Sequence, residues 1–420
     1  MYSKQAAHSE QAPVGISRSL VLLMAVAVGL IVGNLYYIQP LLGEVARSLG
    51  VGEGQVGIAA TLSQLGQAVG ILFFLPIGDT RDRRLLAVAG LVASAVGLVG
   101  IAVSPSLTWL CVASLVLGLS SMSTHTLVAL AAALARPAER GRVVGTVMSG
   151  LLMGILLART VSGFVGAHLG WRAMFWIAAA VTTGLSVVLA RRLPVDPPRP
   201  GPRYTELLGS MARLFSELPT LREACLFGAT TFGSFTAFWV TLTFHLEGPP
   251  FGYSSDVVGL FGLVGAAGAL AAVYSGRLAD RHDPRRLGAG AVLLTALSFA
   301  FMALFGSSLW GLIIGVLALD LGVQAAHIAN QARVHALMPE ARNRLHTLYM
   351  FSYFAGGSLG TALASWAWEM VGWLGVCAVG TLLPLTALVA YARSGPGRHT
   401  TAARGRETET RRRDSKLRSA

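Results

Sequence analysis

The amino-acid sequence predicts an all-α membrane protein with twelve transmembrane helices in two pseudo-symmetric six-helix bundles. Of its 420 residues, 54% are hydrophobic and only 13% charged, about half the charged share of an ordinary soluble protein. Apolar stretches of about twenty residues recur, each long enough to cross a hydrocarbon core of roughly 30 Å as a helix. Polar and aromatic landmarks also repeat. Asp79/Asp280, Trp109/Trp310 and Glu139/Glu340 stand 201 residues apart, while His125/His327, Arg142/Arg344 and Trp171/Trp373 stand 202 apart. An ordered series of this kind marks a duplicated unit, and an even number of crossings per unit makes the two copies parallel.

The first six spans read 19–42, 55–77, 85–103, 107–134, 143–166 and 171–193. The second six read 221–246, 255–275, 287–305, 309–335, 343–368 and 371–393. The first span is too long for a signal peptide, lacks a small-residue cleavage site and runs into Asn34, Tyr36 and Tyr37, so it reads as a permanent helix. The domain organisation is then a tail (1–18), a first bundle (19–193), a linker (194–220), a second bundle (221–394) and a basic tail (395–420). The linker is rich in Pro and Arg around Pro197–Arg203, with room for a short surface helix from Tyr204 to Leu218. The last segment is polar, poor in large apolar residues and expected to be disordered.

A net charge of +13 raises the question of a nucleic-acid partner. The positions of the basic residues answer it. With the first span running outward, every Arg and Lys except Arg47, Arg172 and Arg159 falls in the loops, tails and adjoining span ends of one side. This is the positive-inside pattern, and it puts both termini in the cytoplasm and excludes nucleic acid as a partner. Cys111, Cys225 and Cys377 fall in three different apolar spans without metal-ligand spacing, so they read as packing residues. No cofactor or metal is implied.

Two loops carry a motif. After the second span stands Leu75-Pro-Ile-Gly-Asp79-Thr-Arg-Asp-Arg83-Arg84, and after the eighth stands Gly276-Arg-Leu-Ala-Asp280-Arg281-His-Asp-Pro-Arg285-Arg286. The second copy closely resembles the signature loop of the major facilitator superfamily, and the first departs from it at Leu75 and Thr80. The resemblance covers nearly the whole chain. It implies the major facilitator fold, a monomer, and a gating role for Asp79, Arg83, Arg84, Gly276, Asp280, Arg281, Arg285 and Arg286. In similar proteins the first aspartate meets the N-terminus of the eleventh helix, here near Asn343, where helix N–H groups favour an anion. A plain topological role for the arginines remains the alternative.

In the fifth span, Gly154-x-x-x-Ala158-Arg159-x-x-Ser162-Gly163 imperfectly resembles the exporter-associated motif of that superfamily. Its glycines also suit close helix packing. Arg159, well inside the span, should face protein or water. Asp320 is the only acidic residue deep in an apolar segment and forms a stripe with Gln324, His327 and Gln331 at i, i+4, i+7 and i+11. Lipid would reject such a face, so it should line a cavity. The superfamily's first, fourth, seventh and tenth helices line the central path, which adds Asn34, Tyr36, Tyr37, Gln39, His125, Phe238 and Trp239.

A buried carboxyl is a natural proton carrier, because desolvation favours its neutral form and a nearby cation its charged form. Asp320, His327, His125 and Arg159 are therefore the coupling candidates, with Arg159 one possible cation for Asp320. A fixed hydrogen bond is the plainer role for Asp320 and for either histidine. The Asn34-x-Tyr-Tyr-x-Gln39-Pro40 and Leu319-Asp320-Leu-Gly-Val-Gln324 stretches look like the bacterial arabinose-efflux-permease-like and multidrug exporter branch. That implies proton-driven efflux of small apolar or amphipathic compounds across the bacterial inner membrane, with protons and the lipid bilayer as partners. An importer or facilitator for a sugar or other metabolite, and a nontransporting receptor or assembly factor, remain the alternatives. The chain carries no His-Glu-x-x-His motif and no paired intramembrane aspartates, so an enzyme is not expected.

Overall fold

The computed structural model describes residues 16–79, 81–196, 203–279 and 283–393, of which 79, 266, 269–279 and 339 are described by their backbone alone. The predicted basic tail 395–420, Ser394, most of the N-terminal tail, Asp280 and Arg281 lie outside the described residues. The described chain is all helical: α1 Arg18–Tyr36, α2 Leu42–Leu49, α3 Glu53–Phe74, α4 Arg83–Ala102, α5 Leu107–Ser120, α6 Ser123–Leu134, α7 Arg140–Leu169 and α8 Trp171–Arg192. There follow α9 Tyr204–Glu217, α10 Pro219–Glu247, α11 Ser255–Ala279, α12 Pro284–Phe305, α13 Leu309–His335, α14 Arg342–Val371 and α15 Trp373–Arg393.

Among the described residues ten spans are long and apolar enough to cross a membrane. The other two of the expected twelve are α11, described in full only over part of its length, and α14, which is 30 residues long but carries Arg342, Arg344, Tyr349, Tyr353 and Glu369. Large apolar side chains such as Leu22, Val96, Leu304 and Leu374 stay exposed, as a lipid-facing surface requires.

Two spans expected to be continuous are broken. The first stops at Tyr36, passes through a 3-10 turn at Gln39–Leu41 and resumes as α2. Pro40 has no N–H to donate and fixes its own φ, which ends the regular ladder there. The fourth span breaks at Ser121-Met122. There the hydroxyls of Ser120, Ser121 and Ser123 donate to the carbonyls of Leu117, Gly118 and Ser120, each at 2.7 Å, offering the backbone an alternative to the helical ladder.

The duplication is legible in the backbone. Among the described residues the glycines with left-handed φ are Gly50, Gly170, Gly252 and Gly372, two pairs each 202 residues apart. Asp82 caps α4 by accepting from the Arg84 N–H at 2.8 Å, and Asp283, 201 residues on, caps α12 by accepting from the Arg285 N–H at 3.0 Å. The Arg84 guanidinium donates to the Ala190 carbonyl on α8. The Arg285 guanidinium donates to the Tyr391 carbonyl on α15 at 3.4 Å, again 201 residues along. In both copies the third span is thus strapped to the sixth.

The chain divides into two compact units, one of Met1–Tyr204 with Leu242–Leu263, the other of Thr205–Thr241 with Val264–Ala420. These units differ from the sequence halves at one place. Leu242–Leu263, the end of α10 and the start of α11, packs with the first half rather than with its own.

In the first unit α1 crosses α7 at Gly29, Gly150 and Gly154, where a Cβ on Gly29 would lie 2.6 Å from the Gly150 carbonyl oxygen. In the second unit α10 crosses α14 at Gly233, Gly356 and Gly360 in the same way. Helix α9 buries Leu207, Met211 and Leu214 at helical spacing, and Arg344 donates to its Ser210 hydroxyl at 2.9 Å.

Candidate functional site

In the first unit the expected residues converge on Arg159. This arginine is 4% exposed on α7. Its Nε donates to Gln39 Oε1 at 2.8 Å, and its guanidinium lies 4.7 Å over the Tyr36 ring. A buried cation on a membrane helix thereby gains an amide acceptor and an aromatic face. Tyr37 is buried nearby in sequence, and Asn34 donates to Thr182 Oγ1 at 3.3 Å, which ties α1 to α8. His125 sits half-buried on α6.

The rest of this neighbourhood comes from Leu242–Leu263. Thr243 Oγ1 donates to the Gln39 carbonyl at 2.7 Å, Thr160 Oγ1 donates to the Gly259 carbonyl at 3.1 Å, and Ser255 Oγ donates to the Gly163 carbonyl at 3.3 Å. A Cβ on Gly259 would stand 2.6 Å from the Arg159 carbonyl oxygen, and one on Gly262 would stand 3.0 Å from Arg159 Cβ. Helices α7 and α11 meet there backbone to backbone. At the rim Arg47 Nη1 pairs with Glu247 Oε2 at 2.6 Å.

In the second unit Asp320 is 3% exposed on α13. Its space comes from glycines of α11. A Cβ on Gly265 would fall against Asp320 Oδ2 and 2.6 Å from Trp239 Cζ2, and one on Gly268 would stand 2.9 Å from Asp320 Cβ. Trp239 is thus the aromatic neighbour of the carboxyl. Phe238 points elsewhere, fully buried against Trp373 at 6.1 Å and Phe299 at 6.4 Å between ring centroids, so it serves the unit's core.

Further along the stripe Gln324 is half-buried. The His327 ring bonds on both sides, to Gln331 Nε2 at 3.0 Å and to Tyr349 Oη at 3.1 Å. An amide NH2 can only donate, so His327 Nε2 accepts and Nδ1–H donates to Tyr349, which defines one neutral tautomer. Tyr353 packs on the same ring at 4.5 Å.

The repeat sharpens the contrast between the charges. Counting 202 residues, Asp320 takes the place of Gly118, and Gly265 and Gly268 take the places of Ser63 and Gly66. In the first copy Gly118 gives way to the Ser63 backbone, whereas in the second Gly265 gives way to Asp320. Arg159 corresponds to Thr361. Each charge exists in one copy only.

The loop residues separate. Arg83 and Arg84 stand in the first turn of α4, and Arg285 and Arg286 in that of α12. Gly276 lies within α11, whose helix runs on to Ala279, so the second loop is shorter than the sequence suggested. Arg83 pairs with Asp196 at 3.7 Å, and Arg286 pairs with Asp283 at 3.8 Å while largely exposed.

Arg285 belongs to a cluster that sequence reasoning missed. Glu223 on α10 accepts from Arg285 Nε at 2.9 Å and Nη2 at 3.0 Å, and from Arg333 Nη2 at 2.7 Å. Arg285 also lies 4.4 Å over Tyr391. The one available signal was a lone carboxylate at the start of an apolar span on the arginine-rich side.

The sequence profile of the Major Facilitator Superfamily matches residues 22–270 and 224–419. The chain belongs to the Major Facilitator Superfamily. The uncharacterized transporter YgaY of Escherichia coli O157:H7 is 42% identical over 378 residues, which cover 90% of this chain and 96% of that protein. The probable transporter SCO4007 of Streptomyces coelicolor is 34% identical over 374 residues, covering 88% and 86%. A crystal structure of a mutant of the nucleoside transporter NupG superposes with a TM-score of 0.72 at 16% identity, covering 89% of this chain and 99% of that one. This superfamily member is therefore a multi-pass membrane transporter.

Proposed function

We propose that this transporter exports small apolar or amphipathic compounds in exchange for protons, by alternating access in the bacterial cytoplasmic membrane with both termini inside. The observation that carries the proposal is Asp320. It is an acidic residue 3% exposed in the middle of a membrane helix, seated in a space left by glycines, at a position where the first copy of the repeat manages with glycine. The fold does not require the carboxyl, so a functional demand is the better account of its presence. A change of surroundings during the transport cycle would let this carboxyl exchange a proton, which is what coupling to a proton flux requires.

His327 is less suited to that role. Both of its ring nitrogens are engaged, and a second proton on Nε2 would face the Gln331 NH2 unless that amide turned over. Each unit also holds aromatic and amide groups, Tyr36 and Gln39 beside Arg159 in the first and Trp239 and Gln324 in the second, and groups of this kind suit amphipathic solutes. The amides favour a second reading, an importer or facilitator of a polar metabolite.

The test is uptake of a compound panel into inverted membrane vesicles, with and without an imposed pH gradient, for wild type and Asp320→Asn. Gradient-dependent loading by wild type and its loss in the variant are expected. Loading that survives collapse of the gradient would favour the facilitator, and a variant coupled like wild type would remove Asp320 from the mechanism. For the first loop, Asp79 is proposed as a conformational latch. Asp79→Asn should insert normally and transport slowly, and full transport by a well-expressed variant would refute it.

A further inference from the structure

We infer that Gln39 is a positioning residue, coupling the orientation of the Arg159 guanidinium to the attachment of the Leu242–Leu263 segment. The inference rests on the transporter reading and is independent of the proton assignment. Gln39 faces two ways. Its side-chain Oε1 accepts from Arg159 Nε at 2.8 Å, while its backbone carbonyl accepts from Thr243 Oγ1 at 2.7 Å. Gln39 is 2% exposed and Thr243 is fully buried, so water replaces neither bond in this state.

The local backbone makes this residue a stiff connection. Gln39 opens the 3-10 turn Gln39–Leu41, with Pro40 fixing the next φ, so a pull on the amide is not absorbed by a flexible loop. The other end of the coupling is also built. The Arg159 backbone itself abuts Gly259, its side-chain stem abuts Gly262, and Thr160, the next residue, donates to the Gly259 carbonyl. Turning the guanidinium away from Gln39 would therefore loosen Thr243 on one side and disturb the α7–α11 seam on the other. A residue that merely lined a substrate cavity would have no reason to bond Thr243 through its backbone.

The reporter is Ser255→Cys in a background where the buried Cys111, Cys225 and Cys377 are replaced by Ala. Ser255 lies in the seam, with Oγ bonded to the Gly163 carbonyl. Maleimide labelling of the detergent-solubilised protein needs neither substrate nor a gradient. Gln39→Leu should raise the labelling rate by about tenfold, the effect of losing one bond to a charged group. Gln39→Glu, which keeps an acceptor, should restore a rate near wild type. Thr243→Val, which leaves the Arg159 bond in place, should raise labelling severalfold and carries the test if Gln39→Leu fails to fold by gel filtration.

In reconstituted vesicles Gln39→Leu should lower the maximal rate with KM little changed. Unchanged labelling in both Gln39→Leu and Thr243→Val, with a raised KM in Gln39→Leu, would make Gln39 a substrate contact and overturn the inference. If Asp320→Asn transports like wild type, the proton assignment falls, while the labelling result stands.

Discussion

Replacing Glu223 by Gln tests whether Arg285 is a structural clamp or a gate. The Glu223 side chain is 6% exposed, and its partners Arg285 and Arg333 are 16% and 8% exposed. The carboxylate accepts three charge-assisted bonds, two of them from a bidentate guanidinium. In Glu223→Gln the remaining oxygen can still serve Arg285 Nε and Arg333, but the NH2 group meets Arg285 Nη2 donor to donor. Both cations lose the Glu223 counter-charge, and Arg285 retains the field of Asp283. Removing one partner of a buried pair costs about 3–5 kcal/mol, and the retained bonds put this case at the lower end, near about 3 kcal/mol. For a unit of this size that corresponds to a fall of about 6–12 °C in melting temperature. Thermal unfolding in detergent, followed by tryptophan fluorescence, reads it. Replacing Glu223, Arg285 and Arg333 together by Met should recover most of the loss, since apolar packing often matches a buried ion cluster. A Glu223→Gln protein that melts within about 1 °C of wild type yet fails to transport would refute the clamp and return Arg285 to the gate.

Two glycines should respond in opposite directions. Gly154→Val drives a branched side chain into the Gly29 backbone where α1 crosses α7, so a loss of about 1–3 kcal/mol or more is expected, read as a lowered melting temperature; an unaffected melt would mean the crossing is looser than described. Gly145→Ala on the same helix meets nothing within 4 Å and should stabilise by up to about 1 kcal/mol through helix propensity, whereas a destabilised variant would show that the position needs its missing side chain.

The sequence revealed the spans and the duplication because both depend on averages and landmarks. Twenty apolar residues are visible without coordinates, and a capping aspartate or a left-handed glycine repeats because the same turn is built twice. The breaks were less visible. Pro40 sits inside a strongly apolar window, and Ser120, Ser121 and Ser123 look like ordinary small residues until their hydroxyls are seen bonded to the preceding turn. Hydropathy also cannot say which face of a helix meets which neighbour. Phe238 and Trp239 are adjacent, yet one serves the core and the other stands beside Asp320. Arg159 and Gln39 are 120 positions apart, and nothing local in either span announces their bond. The first gating aspartate is a different case. Asp79 stands out by its loop, while its side chain and the whole of Asp280 lie outside the described residues.

The placement of Leu242–Leu263 with the first six spans bears on biogenesis. When residue 193 has left the ribosome, six spans are present, but the groove beside Gly163 that receives Ser255 and Gly259 is still bare. The nascent chain must then hold an unfinished surface in the bilayer until a seventh and part of an eighth span arrive. Insertion factors that shelter half-built membrane proteins would meet their substrate in that interval, and a stop codon placed just after the linker would yield a fragment that lacks part of its own packing partner.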